Sequence, residues 1–168
     1  MLSSPFWIRD VPLGRLAISP QPAPDEWLHD ELAAWREQGA DVVVSLLGDS
    51  EMEAYGLAAE PGICRDLGME FQQFPITDHG LPDSAAAFLD LISRLHAEAQ
   101  RGRAIVVHCF AGIGRSTLVA ASLLVRAGLT LPQALEQISD SRGVMVPDTP
   151  AQRLWLEYME PRLRPPPV

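Results

Sequence analysis

The sequence predicts an α/β domain of three layers, α/β/α, with a mostly parallel central sheet. Three observations lead there. The runs Val42-Val43-Val44 and Ala104-Ile105-Val106-Val107 are short, apolar and rich in β-branched residues, as strands buried on both faces are. Stretches with helical spacing alternate with such runs through residue 126, which favours a parallel sheet flanked by helices. A chain of 168 residues holds one ordinary globular domain with a sizeable core and leaves no room for two. The expected division is a single domain over residues 1–160 and a proline-rich tail over residues 161–168. Ligands of such folds sit at the carboxyl ends of the strands.

Each element has its own signal. Leu16-Ala17-Ile18 is a short strand followed by a loop. Asp25 can cap a helix through about Gln38 that carries Trp27, Leu28, Leu32 and Trp35 on one side, and Gly39 ends it. Asp41 to Leu47 is a buried strand. After the turn Gly48-Asp49-Ser50, a helix covers Glu51 to Ala59 and a further turn runs from Pro61 to Leu67. Glu70 to Ile76 is the next strand, Thr77 to Pro82 a loop, and Asp83 or Ser84 opens a long helix through about Gln100. Ala104 to His108 is the clearest central strand, Cys109 to Gly114 a loop, and Arg115 to about Arg126 a helix. Thr130 with Gln133 is a capping-box pattern that opens a helix through about Asp140. Thr149 with Gln152 repeats it with Pro150 at the first helical position, for a last helix to about Met159. The four prolines beyond residue 160 read as a frayed tail.

Composition narrows the function classes. The chain has 13 basic and 22 acidic residues, a net charge of −9. That balance argues against a nucleic-acid scaffold or a binder of anionic membranes, while leaving room for a local basic pocket. No apolar run approaches the length of about 18 residues that a membrane span needs. Residues 1–10 carry one arginine and one aspartate and are interrupted by Pro5, unlike a signal peptide. The two cysteines, Cys64 and Cys109, make no disulfide framework and suit a reducing compartment, so the expected location is the cytoplasm. No Cys/His/Asp cluster has metal-ligand spacing, and no cofactor is expected.

The most informative stretch is His108-Cys109-Phe110-Ala111-Gly112-Ile113-Gly114-Arg115-Ser116-Thr117. A buried strand delivers a cysteine into a glycine-containing turn, and a helix starts directly afterwards. Successive backbone N–H groups in such a turn can form an anion nest, and the helix start adds unsatisfied donors and a favourable dipole. Arg115 supplies a fork of donors for two oxygens of one phosphate. The same surroundings favour thiolate over thiol at Cys109, and the Ser116 hydroxyl can hydrogen-bond that sulfur. The loop lacks the Gly-Lys-Ser/Thr ending of nucleotide-binding loops.

His108, Cys109, Gly112, Arg115 and Ser116 together resemble the motif of the cysteine-dependent protein tyrosine phosphatases, His-Cys, five residues, then Arg-Ser/Thr. The resemblance implies the phosphatase fold and a phosphocysteine intermediate on Cys109 that water then hydrolyses. It implies a phosphate cradle formed by Phe110, Ala111, Gly112, Ile113, Gly114 and Arg115. It also implies that His108 supports the loop and the ionised sulfur instead of acting as a base. A leaving oxygen needs a proton, and a carboxyl on a movable loop can supply it. Asp78 follows a predicted strand and precedes Cys109 by 31 residues, with the long helix returning the chain between them. Pro75, Ile76, Asp78, Gly80, Pro82 and Asp83 resemble the acid loop of the dual-specificity phosphatases, closest to the kinase-associated phosphatase group. His79 stands where a glycine usually follows the acid. The resemblance extends over about residues 11–158.

Other residues carry two readings each. Asp83 is a competing carboxylate or a helix cap, and His79 lines the entrance or sits in solvent. Glu51 follows a strand-ending loop and faces the same rim, or is a solvated acid at a helix start. Arg142 can pair with an acidic loop near the site. Gln152 belongs to its capping box or positions water. Cys64 is an inert thiol or a disulfide partner of Cys109. The leading substrate is protein phosphotyrosine, with phosphoserine and phosphothreonine beside it, and no specific partner is implied. The alternatives are a phosphoinositide or other small phosphate ester, sulfur transfer or arsenate reduction, and a non-catalytic phosphoprotein-binding module. The loop offers no lysine for extra phosphates, and Asp78, Cys109 and Arg115 are all present, so the phosphoprotein reading leads.

Overall fold

The structure is a computed structural model and describes residues 2–167. In chain order its elements are β1 (Phe6–Trp7), β2 (Leu16–Ser19), α1 (Leu28–Glu37), β3 (Ala40–Ser45), α2 (Asp49–Ala54), α3 (Glu60–Asp66) and β4 (Glu70–Gln73). They continue with α4 (Ala85–Gln100), β5 (Ala104–His108), α5 (Arg115–Arg126), α6 (Leu131–Arg142) and α7 (Pro150–Leu163). The sheet order is β1-β2-β5-β3-β4. β2, β5, β3 and β4 run parallel, and β1 adds one antiparallel edge. This is the three-layer α/β/α architecture with a mostly parallel sheet that the sequence predicts.

Alternation along the strands divides the core in two. Leu16, Ile18, Val42, Val44, Ile105 and Val107 face a cluster built with α4 to α7. Ala17, Val43 and Val106 face the other side, against Leu28, Leu32 and Trp35 of α1, Met52 of α2 and Cys64 of α3. Helix α5 is buried from Arg115 to Val125 because α4, α6 and α7 surround it. Full burial of a Leu, Ile, Val or Phe side chain contributes roughly 1.5–3 kcal/mol, so this helix is fixed by packing on nearly all sides. Its first turn is therefore a rigid platform.

The expected helix starts hold at three places. The Ser84 hydroxyl accepts the Ala87 N–H at 3.1 Å and caps α4. Thr130 and Gln133 form their capping box on α6, and Thr149 and Gln152 form theirs on α7. Elsewhere the structure differs. Ser84 takes the capping role that Asp83 also suited. Residues Asp25–Trp27 form a 3-10 turn with Asp25 at φ 53° and no side-chain cap, and Trp27 is 58% exposed instead of lying on the buried side. Helix α2 starts at Asp49, with Gly48 as its cap and the Glu51 carboxylate accepting the Gly48 N–H at 3.1 Å. The expected turn at Pro61 is helix α3. Its proline lies in the first turn, where the missing N–H costs nothing, and Cys64 is buried beneath.

Two ends also move. β4 stops at Gln73, although Phe74 N–H still reaches Ser45 O at 2.9 Å and Ile76 N–H reaches Leu46 O at 3.0 Å. Pro75 lacks a donor, so the regular ladder ends before it. Helix α7 runs to Leu163, through Pro161, instead of ending near Met159. Leu163 is 1% exposed, and its burial offsets the one helical hydrogen bond that Pro161 removes.

Candidate active site

β5 lies centrally, with Ser19 of β2 and Ser45 of β3 both in register with His108. The next residue, Cys109, is 2% exposed and begins the loop to Gly114. At Gly112, φ is 69°, and a Cβ would lie 2.5 Å from the Ser19 carbonyl carbon and 2.6 Å from Pro20 N. Only glycine fits so close to another backbone in that conformation.

The loop's carbonyls explain its shape. Phe110 O accepts from Gln21 N–H at 3.0 Å. Ala111 O and Gly112 O accept from Arg142, through Nη2 at 3.0 Å and Nε at 3.2 Å. Ile113 O accepts the Thr117 hydroxyl at 2.6 Å, and Gly114 O accepts the N–H groups of Thr117 and Leu118. With each carbonyl bonded outside the loop, the intervening N–H groups are free to face inward, which is the requirement for an anion nest. Arg142 thus braces the loop directly and pairs with no acidic loop among the described residues. Its guanidinium also stacks 4.2 Å from the Phe6 ring centroid, which gives the unforeseen strand β1 a role in holding it.

The sulfur of Cys109 accepts from the Ser116 hydroxyl at 3.0 Å and from Gly112 N–H at 3.3 Å. Arg115, 2% exposed, is clamped through Nη1, which donates to Glu51 Oε1 at 2.9 Å, Oε2 at 3.1 Å and Ile76 O at 2.9 Å. Its Nη2 lies 3.2 Å from Asp78 Oδ1, in ion-pair contact, and makes no hydrogen bond among the described residues. That leaves a buried donor for a ligand oxygen. Burial opposes the guanidinium charge, but the hydrogen bond to Glu51 and the charges of Cys109, Glu51 and Asp78 outweigh it and push the Arg115 pKa above its ordinary value. Glu51 is therefore part of the site and not a solvated helix-start acid.

A cavity of about 260 Å³ opens above the sulfur and includes Asp78, His79, Phe110, Arg115, Asp148 and Gln152 in its walls. Asp83 lines a neighbouring groove of about 500 Å³ with Glu51, Tyr55 and Asp78, away from the sulfur. The Asp78 side chain is 53% exposed, and its Oδ1 accepts the His79 N–H at 3.0 Å. His79 sits at φ 58°, a region that favours the glycine usual at this position. Its Nδ1 meets Asp148 Oδ2 at 2.9 Å, so it ties the acid loop to the segment before α7. Of its two readings, the one at the entrance holds. Gln152 is fully buried, keeps its capping box and donates to Gly80 O at 3.3 Å while forming part of the cavity wall. Cys64 faces the other core cluster from Cys109, and burial and the Glu60 charge push its thiol up to about 12, which makes it inert.

Sequence reasoning did not foresee Asp148, the partner of His79, or Glu60, the partner of His108. Both contacts join segments far apart in the chain. Glu51 was traceable, because it follows β3, the strand next to β5, where sheet topology places ligands.

The dual specificity phosphatase catalytic domain family matches residues 58–160, and the chain belongs to that family. Cyclin-dependent kinase inhibitor 3 of Sus scrofa is 33% identical over 95 residues, covering 55% of this chain and 44% of its own length. Dual specificity protein phosphatase 26 of Bos taurus is 42% identical over 82 residues, covering 48% and 37%. The matches thus span less than half the length of these curated relatives. Among solved structures, kinase associated phosphatase with its catalytic cysteine replaced by serine superposes with a TM-score of 0.78 at 22% identity, over 89% of this chain and 87% of that one. Tk-PTP in its active form gives 0.76 at 27% identity, over 95% and 99%.

Proposed function

We propose that the chain hydrolyses phosphomonoesters on proteins, phosphotyrosine first and phosphoserine or phosphothreonine beside it, through a phosphocysteine on Cys109. The observation that carries this reading is the buried sulfur with two hydrogen-bond donors, at the base of a loop whose carbonyls all bond outward. The Cys109 thiolate attacks phosphorus, the bond to the ester oxygen breaks, and the Asp78 carboxyl gives that oxygen its proton. Phosphate oxygens rest on the inward N–H groups of the loop and on Arg115 Nη2. Water then loses a proton to the Asp78 carboxylate and attacks phosphorus. The thiolate departs, and the Ser116 hydroxyl stabilises its charge. His108 supports the loop from below and takes no proton in either step.

A phosphopeptide suits the entrance better than an inositol phosphate. Phe110, Ala111 and Ile113 bring no charge for a second phosphate, and Asp78 and Asp148 at the cavity would repel one. No helix among the described residues is long and apolar enough to cross a membrane. Its two free cysteines suit the reducing cytoplasm. The test is phosphate release from p-nitrophenyl phosphate, a phosphopeptide panel and phosphoinositides, with chelator present. Turnover of phosphopeptides by wild type and none by Cys109→Ser supports the reading; turnover of phosphoinositides alone overturns its substrate class.

A further inference from the structure

We propose that Glu60 is a positioning residue for Cys109 and acts through His108; the proposal rests on the phosphatase reading above. His108 and Glu60 are both completely buried, and His108 Nε2 lies 2.6 Å from Glu60 Oε1. On the other side of the ring, Nδ1 lies 3.3 Å from the Cys109 carbonyl oxygen. A carbonyl only accepts, so Nδ1 carries a proton. One further proton is shared between Nε2 and Oε1, and the bond holds the ring whichever atom carries it. Glu60 thereby fixes the plane of His108, and the Trp35 ring meets it edge-on at 6.1 Å between centroids.

The pair is badly placed for stability alone. Glu60 Oε2 is buried with no hydrogen-bond partner among the described residues, and the surroundings are apolar side chains such as Leu57, Cys64 and Trp35. An orphaned carboxyl oxygen among apolar side chains costs free energy, and such a group in a native fold calls for a role. The loop supplies that role. Its carbonyls from Phe110 to Gly114 are held by Gln21, Arg142 and the first turn of α5, whereas the Cys109 carbonyl is held by His108 from beneath the sheet. Loosening His108 therefore frees the residue that bears the nucleophile and leaves the phosphate-binding N–H groups and Arg115 in place.

The consequence is a split between rate and binding. Glu60→Leu should lower kcat on p-nitrophenyl phosphate by about 10–100-fold, the scale on which a misplacement near 1 Å acts. KM and inhibition by inorganic phosphate should stay within about threefold of wild type. Carboxymethylation of Cys109 by iodoacetate should slow in parallel. Glu60→Gln, which can still bond Nε2, should recover most of the loss. In a His108→Asn background, Glu60→Leu should add less than about twofold, because the link it breaks is already absent. Wild-type kcat in Glu60→Leu, a rise in KM alone, or losses that multiply in the double variant would each overturn the proposal. Variants that fail to fold do not protect it. The wild-type protein should show an exchange-protected, far-downfield imidazole N–H resonance from His108 Nε2, and its absence removes the bond on which everything rests. If wild type turns over no phosphate ester, the phosphatase reading fails, while the alkylation rates and the His108 resonance still decide the role of Glu60.

Discussion

Truncating Glu51 to alanine removes both carboxylate acceptors of Arg115 Nη1 and leaves only Ile76 O. A hydrogen bond to a charged group contributes about 1.5–3 kcal/mol. The Glu51 side chain is 25% exposed, so water screens the pair and the two bonds together are worth about 2–3 kcal/mol rather than their sum. Released from its clamp, the guanidinium has several orientations in place of one. If that loss falls on the transition state, kcat/KM drops about 30- to 150-fold. Phosphate inhibition should weaken with it, because the same guanidinium binds phosphate. The Gly48 cap of α2 is lost as well, and Tm should fall by about 2–4 °C for each kcal/mol. Glu51→Gln keeps one neutral acceptor and should lie between the two. The assay is steady-state turnover of p-nitrophenyl phosphate with phosphate as competitor, beside thermal unfolding. Glu51→Ala with wild-type kcat/KM and wild-type phosphate affinity would refute the clamp, whatever its Tm.

Four further outcomes are expected. Asp78→Asn should cost about 10²–10⁴-fold on esters with poor leaving groups and less on p-nitrophenyl phosphate, while Asp83→Asn, away from the sulfur, stays near wild type; steady-state rates with aryl phosphates of graded leaving-group ability check this. Because the Cys64 thiol is pushed up to about 12 by burial and the Glu60 charge, iodoacetate should label Cys109 well before Cys64 near neutral pH, as peptide mapping would reveal. That raised value also means the unfolded chain loses the Cys64 proton first as pH rises, so its contribution to stability is complete below about 9 and is lost between about 9 and 12, a slope that Cys64→Ala should remove from unfolding free energies. Leu163→Ala should destabilise by about 2–5 kcal/mol in denaturant titrations, against nearly nothing if the segment after Met159 were a frayed tail.

Local patterns in the sequence carried much of this structure. β5 and α5 fall where apolar run length and helical spacing put them, and three capping residues stand where their types indicated. The contact of Ser116 with sulfur was legible because strand, turn and helix start lie within ten consecutive residues. What was not legible depends on contacts between distant segments. β1 is two residues long, too short to have a period, and exists because it pairs with β2 and supports Arg142 through Phe6. Pro61-Gly62 reads as a turn until burial of Cys64 favours a helix. Glu60 looks like any helix-start acid until His108, 48 residues on, lies against it. The proline tail misled for a related reason: proline content says nothing of the pocket that receives Leu163.

Rapid acid quench with a phosphorus-labelled phosphopeptide tests covalent catalysis through Cys109. Within the first turnover, label should appear on the chain and peptide mapping should place it on Cys109, at up to one phosphate per molecule. It should persist longer in Asp78→Asn, where water has no base, and be absent from Cys109→Ser. A product burst with no label on Cys109, or label on another residue, would contradict the account.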